Sequence, residues 1–182
     1  RLYVRARTGG PVTALARIPA PRWRSLVARI PTLPRLLRFA TYVCRPMPDG
    51  TWLAVFDKDL FRIAAGEGRR VDRIDRIEGR RSRCRVLRGA LAVDGEGAAW
   101  FGDYLRNEER GPVHVYRLPP GATRAEIAYT FPAGAVRHVH GVYTDPADGS
   151  LWCTTGDRDG ECRVVRTSDG FATVEEVGAG DE

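Results

Sequence analysis

Apolar residues in this chain fall in short runs bounded by Gly, Pro and Asp, with little helical spacing. LYVRAR, VTALARI, ATYVCRP, LFRIA, VDRIDRI, GALAV, VHVYRL, EIAYTF, HVHGVY, CRVVRT and TVEEV each read as a strand, and the segments that follow Trp52, Trp100 and Trp152 add three more. One stretch departs from this pattern. PRWRSLVARIPTLPRLLRF sets Leu26, Val27, Ile30, Leu33 and Leu37 near helical spacing, but Pro31 and Pro34 break any long helix. It reads as an irregular connection with room for a short helix.

The strands recur with a period. DGTW, EGAAW and DGSLW end on Trp52, Trp100 and Trp152, 48 and 52 residues apart. Each follows an acidic-Gly turn, in which Gly supplies the positive φ that a tight hairpin needs. A strand precedes each turn, a polar loop follows each Trp strand, and two further strands complete the unit. Four antiparallel strands in about 50 residues describe a blade of a β-propeller. The expected fold is therefore all-β, a single partial propeller over residues 1–182, with units at 1–36 (partial), 37–80, 81–132 and 133–182. The Trp strand is expected second from the axis, buried between blades. About three and a half blades are present, and propellers close with roughly four to eight. The sequence thus reads as part of a longer protein or as one that closes with another copy.

Composition narrows the function classes. The chain is 43% hydrophobic and 29% charged, enough to bury a core. No apolar run nears the ~20 residues of a membrane span. The net charge of +6 is divided unevenly. Residues 1–90 hold 21 basic and 7 acidic side chains, net +14, and residues 91–182 hold 8 and 16, net −8. Nine arginines crowd between Arg69 and Arg88. With Asp72, Asp75 and Glu78 among them and no interleaved aromatic, they read as a solvated strand face, and no nucleic-acid partner is expected. Cys44, Cys84, Cys153 and Cys162 form no CxxC pair, so four free thiols are expected. The chain begins at Arg1 and its only methionine is Met47, so a natural start is expected to be missing, and the compartment is left open between periplasm, exterior and cytoplasm.

The last unit carries RTSDGFATVEEV, Arg166 to Val177. It resembles the Asp-box of sialidase-like, or BNR-repeat, propellers, Ser/Thr-x-Asp-x-Gly-x-Thr followed by an aromatic. Thr167, Asp169, Gly170 and Thr173 fit a common form; Phe171 replaces a usual glycine and Val174 the aromatic. The order of loops and strands from Leu37 onward is similar to a bacterial group of such proteins that carries sialidase-like and glycosyl-hydrolase-like labels. The resemblance implies that Asp169 is a structural turn residue on the face opposite the ligand. It implies a glycan or other polar ligand, bound and in the enzymatic case hydrolysed; fold alone does not fix activity.

Propeller topology places the loops after the second strands and the entries to the blades on one rim. That rim collects Asp103, Tyr104, Arg106, Asn107, Glu108, Glu109 and Arg110, then Arg137, His138 and His140, then Asp157, Arg158, Asp159 and Glu161. Sialidase-type enzymes grip a carboxylate with arginines, for which Arg106, Arg110 and Arg137 are candidates beside Tyr104 and Asp103. Their early arginine motif is not visible here. Asp103, Glu108, Asp157 and Glu161 are the candidate glycosidase carboxylates, with no distance fixed. His138 and His140 alternate around Val139 and point to one side. With Asp157 they could hold a metal, but spacing fixes no third ligand, so a hydrogen-bonded pair without metal or cofactor is expected. His114 reads as structural. The alternative to glycan binding is a non-catalytic scaffold for a protein partner.

Overall fold

The computed structural model describes residues 2–5, 10–19, 23, 27, 30, 41–56, 59–64, 70–74 and 90–180. Most of the segment with helical spacing lies outside them, as do Asp75, Glu78, Cys84 and most of the arginine run. Among the described residues, fourteen strands form one two-stranded and three four-stranded sheets. β1 (Leu2–Arg5) pairs with β2 (Val12–Ala16). The first four-stranded sheet comprises β3 (Thr41–Pro46), β4 (Trp52–Phe56), β5 (Asp59–Ile63) and β6 (Val71–Arg73). The second comprises β7 (Ala92–Val93), β8 (Ala99–Gly102), β9 (Val113–Leu118) and β10 (Glu126–Phe131). The third comprises β11 (Val139–Thr144), β12 (Leu151–Thr155), β13 (Arg163–Thr167) and β14 (Glu175–Ala179). Each four-stranded sheet is an antiparallel meander in chain order, the blade of a partial β-propeller. No helix among the described residues is long and apolar enough to cross a membrane.

The inner strands of the first two blades are buried on both faces, which is why the sequence shows runs there, whereas β12 of the third alternates between buried and half-buried positions. Leu53 and Val55 pack with Leu91, Ala99, Phe101, Tyr116 and Leu118 between the first and second blades. Trp100, Val113 and Val115 pack with Val139, Val142, Cys153 and Phe171 between the second and third. Ala54 and Ile63 turn the other way, onto Leu15. Full burial of one such side chain is worth about 1.5–3 kcal/mol. β8 and β11 meet so closely that a Cβ on Gly102 would lie 2.3 Å from Val139 Cγ1, so the second strand of one blade needs glycine where the next blade enters.

The register of the tryptophan is shared by two blades and shifts in one, and of the two that share it Trp100 is buried while Trp152 is half-buried. Trp100 pairs with Arg117, and Trp152 with Arg166. In the first blade Leu53, not Trp52, pairs with the corresponding Arg62. The sequence explains the slip: Trp52 follows Asp49 by three positions, whereas Trp100 and Trp152 follow Glu96 and Asp148 by four. A one-residue offset reverses the face of a strand residue. Trp52 therefore packs with Ala54 and Ile63 toward Leu15, and Leu53 fills the place of the indole. The expectation of three equivalent tryptophans is corrected on this point. The frame that does repeat is an ion pair. Arg62 Nη1 lies 3.2 Å from Asp49 Oδ2, Arg117 Nη2 3.8 Å from Glu96 Oε2, and Arg166 pairs with Asp148. Each ties the third strand to the turn between the first two.

The turn between β13 and β14 sits at this same end. Asp169 accepts the backbone N–H of Thr173 at 2.9 Å, the Thr173 hydroxyl at 2.7 Å and the Thr167 hydroxyl at 2.8 Å. These donors hold its pKa down at about 2. Gly170 and Phe171 both take positive φ, 69° and 70°. Phe171 is buried, its ring centroid 5.7 Å from that of Trp100 in the preceding blade. The Trp100 indole N–H in turn donates to Asp94 at 2.7 Å. Asp169 is thus a turn residue, and the turn seals a blade junction.

Candidate functional site

The opposite end carries the loop from β8 to β9, the loop from β12 to β13 and the entry to β11. Their side chains converge. His138 and His140 flank Val139, whose N–H donates to the Asp103 carbonyl and so sets the start of β11 against the second blade. The register of β11 against β12 is irregular between Val139 and Gly141, yet both imidazoles emerge on one side. Their Nε2 atoms lie 3.0 Å apart. Asp157 closes the group: Oδ1 is 3.0 Å from His140 Nε2, and Oδ2 is 3.4 Å from His138 Nε2 and 3.1 Å from Arg137 Nη1. The Tyr104 ring packs against His138 in a tilted arrangement, with centroids 4.4 Å apart and planes 57° apart.

The backbone is bent to present Asp157. Its φ is 141° and that of Gly156 is 135°, conformations that cost a non-glycine residue about 1–3 kcal/mol. A Cβ on Gly156 would lie 2.6 Å from Cys162 Sγ, so only glycine fits before Asp157. The strain falls on the residue whose carboxylate completes the cluster.

Second partners fix the chemistry of His138. Its Nδ1 lies 3.0 Å from the Leu105 carbonyl, an acceptor only, so Nδ1 carries the proton and Nε2 presents a lone pair to Asp157 and His140. Burial lowers its pKa, outweighing the Leu105 bond and the pull of Asp157. Burial of Asp157 works to raise its pKa, but His138, the His140 hydrogen bond and Arg137 together hold it below the ordinary carboxylate value. Arg137 and His140 also lie in direct contact with the Asp157 carboxylate. The cluster therefore offers an imidazole base, a fixed carboxylate, a guanidinium and an aromatic face.

The other rim residues divide. Arg110 Nε donates to Glu161 Oε1 at 2.6 Å and its Nη1 to the Asn107 carbonyl, with Arg110 at a φ of 50°. The pair is a largely buried staple between the loops of two blades. Asp103 is buried; its carboxylate accepts the His114 N–H and the Tyr116 hydroxyl, each at 3.1 Å. These contacts order the blade from within. Arg106 is exposed and pairs with Glu108 at 2.9 Å. His114 Nδ1 meets the Thr130 hydroxyl at 2.8 Å, a structural contact. Cys44, Cys153 and Cys162 are free thiols. Cys153 lies within β12, paired with Val142 and Val165, whereas Cys162 precedes β13, so the two do not face each other. The Leu105 carbonyl has no signal in the sequence, since a backbone acceptor is independent of side-chain identity.

No family model matches the chain, and no curated protein sequence matches it. Among solved structures it is similar to a catalytically inactive virginiamycin B lyase from Staphylococcus aureus, determined with quinupristin, at 15% identity and a TM-score of 0.33. That similarity covers 76% of this chain, which spans about half (55%) of the length of that one.

Proposed function

We propose that the end of the blades carrying Tyr104, Arg137, His138, His140 and Asp157 binds a polar, sugar-like ligand. The observation that supports this most is the convergence of His138 Nε2 and the Asp157 carboxylate, with the Tyr104 ring against His138. Sugar hydroxyls both donate and accept hydrogen bonds, and the cluster supplies acceptors at Asp157 and His138, a donor at Arg137 and an aromatic surface for the apolar face of a ring. The likeness of the β13–β14 turn to the Asp-box of sialidase-like propellers points to the same ligand class. Binding fits the geometry better than two-carboxylate hydrolysis, because Asp103 is committed to Tyr116 and His114 and Glu161 to Arg110. A glycan array, followed by titration of the strongest glycan, tests the proposal. At least one glycan class should bind, with a loss of about tenfold or more in Arg137→Ala and Asp157→Asn at unchanged melting temperature. Absence of any glycan signal, or equal binding by both variants, would leave the charged end as a protein-docking scaffold.

A further inference from the structure

Two acceptors of the cluster crowd one ring nitrogen, His140 Nε2. His138 Nε2 is a bare acceptor while Nδ1 holds its proton against Leu105. Asp157 Oδ1 is also an acceptor. His140 Nε2 stands 3.0 Å from both, and it carries at most one hydrogen. At best it divides one hydrogen between two acceptors in a three-centre bond. A cation between the three atoms would hold all of them.

We propose that His138 Nε2, His140 Nε2 and the Asp157 carboxylate form a three-ligand site for a divalent transition ion of the zinc class. The ligand atoms all lie within 4.8 Å of one another. His140 Nε2 lies 3.0 Å from both His138 Nε2 and Asp157 Oδ1, separations that suit edges of a coordination shell, and the other carboxylate oxygen lies 3.4 Å from His138 Nε2. Bonds of about 2.0–2.1 Å place neighbouring ligands about 2.9 Å apart in an octahedron and about 3.3 Å apart in a tetrahedron. Imidazole with a single carboxylate selects zinc, cobalt and nickel over magnesium and calcium, which prefer all-oxygen shells. The outer partners are those a metal site uses: the Leu105 carbonyl holds the His138 ring by its far nitrogen, and Arg137 holds the second carboxylate oxygen. The strained φ of Asp157 serves to bring the third ligand to the two imidazoles. Three protein ligands leave a coordination position open to an incoming oxygen ligand. The site uses the side chains of the glycan reading but does not rest on it, since those side chains can bind sugar hydroxyls without an ion.

The test is calorimetric titration of the metal-stripped protein with zinc chloride, repeated with magnesium chloride, and the visible spectrum of the cobalt(II) form. The expected result is one saturable zinc per chain, no magnesium binding, and ligand-field bands of a nitrogen–oxygen site. His140 is half-exposed, so His140→Ala should fold normally and weaken zinc at least about tenfold; Asp157→Asn should do the same. Absence of saturable zinc binding at millimolar metal, undiminished binding in both variants, or a thiolate-to-cobalt charge-transfer band assigning the ion to cysteine would overturn the proposal. Glycan binding by the metal-stripped protein, scored separately, keeps failure of this site distinct from failure of the ligand reading.

Discussion

Replacing Phe171 separates the packing of a blade junction from the backbone strain beneath it. The side chain is 2% exposed and lies against Trp100 and Tyr129, with centroids 5.7 and 6.1 Å away. Truncation to alanine removes a buried phenyl ring, at about 3–5 kcal/mol. Phe171 also holds a φ of 70°, which any residue with a Cβ adopts at a cost of about 1 kcal/mol and glycine adopts freely. Phe171→Ala keeps this strain and Phe171→Gly relieves it. The glycine variant should therefore be the milder of the two, at about 2–4 kcal/mol, although glycine is ordinarily the more disruptive choice. Urea unfolding followed by tryptophan fluorescence reads both, as midpoint shifts at constant slope. In a chain of this size each kcal/mol corresponds to about 2–4 °C in melting temperature. A glycine variant less stable than the alanine variant would refute the backbone reasoning. Losses below about 1 kcal/mol in both would refute the packing.

Arg110→Ala should destabilise by about 2 kcal/mol, because it strands Glu161 in a largely buried place; Arg110→Ala with Glu161→Ala should cost clearly less than the sum of the single changes, and additivity in unfolding measurements would count against the staple. Cys153, buried with its thiol pKa pushed up to about 12, should react with a thiol reagent only after unfolding, whereas exposed Cys44 should label in the native protein. The Asp169 carboxyl should titrate at about 2 by carbon-detected NMR and move toward the ordinary 3.8 in Thr173→Val; an unchanged value would mean that Thr173 does not hold it.

The blades were legible in the sequence because their hairpins are local. Acidic-Gly turns fix where a strand reverses, and an apolar run covered on both faces marks its length. The face of each residue was less legible, since it depends on counting across the turn. The missing position between Asp49 and Trp52 sent that indole to the opposite side, a difference of one residue that composition does not register. The repeating arginine at 62, 117 and 166 was the more faithful marker, because an ion pair to the turn requires one register. That Arg137, His138, His140 and Asp157 share one rim followed from topology, but their meeting at hydrogen-bond distance depends on the irregular register at Val139–Gly141 and the bent backbone at Asp157. The commitment of Asp103 to Tyr116, and of Arg110 to Glu161, did not follow from topology: both depend on how deeply each loop folds back on its blade. The tautomer of His138 was hidden for a similar reason, as it is set by a carbonyl 33 positions away in sequence.

Long-range nitrogen–proton NMR of the three histidines across pH 5–8, with and without the strongest array glycan, is the most direct measurement of the charged end. The account predicts that His138 is protonated at Nδ1 and titrates below the ordinary 6.5, burial being the main cause. The unfolded chain then takes up this proton at a higher pH than the folded one. The His138 contribution to stability is full above about pH 6.5 and declines as the pH falls below it. Glycan should shift the ring signals of His138 and His140 and leave His114 unmoved. A proton on His138 Nε2 near neutral pH, or glycan-induced shifts at His114 alone, would contradict the account.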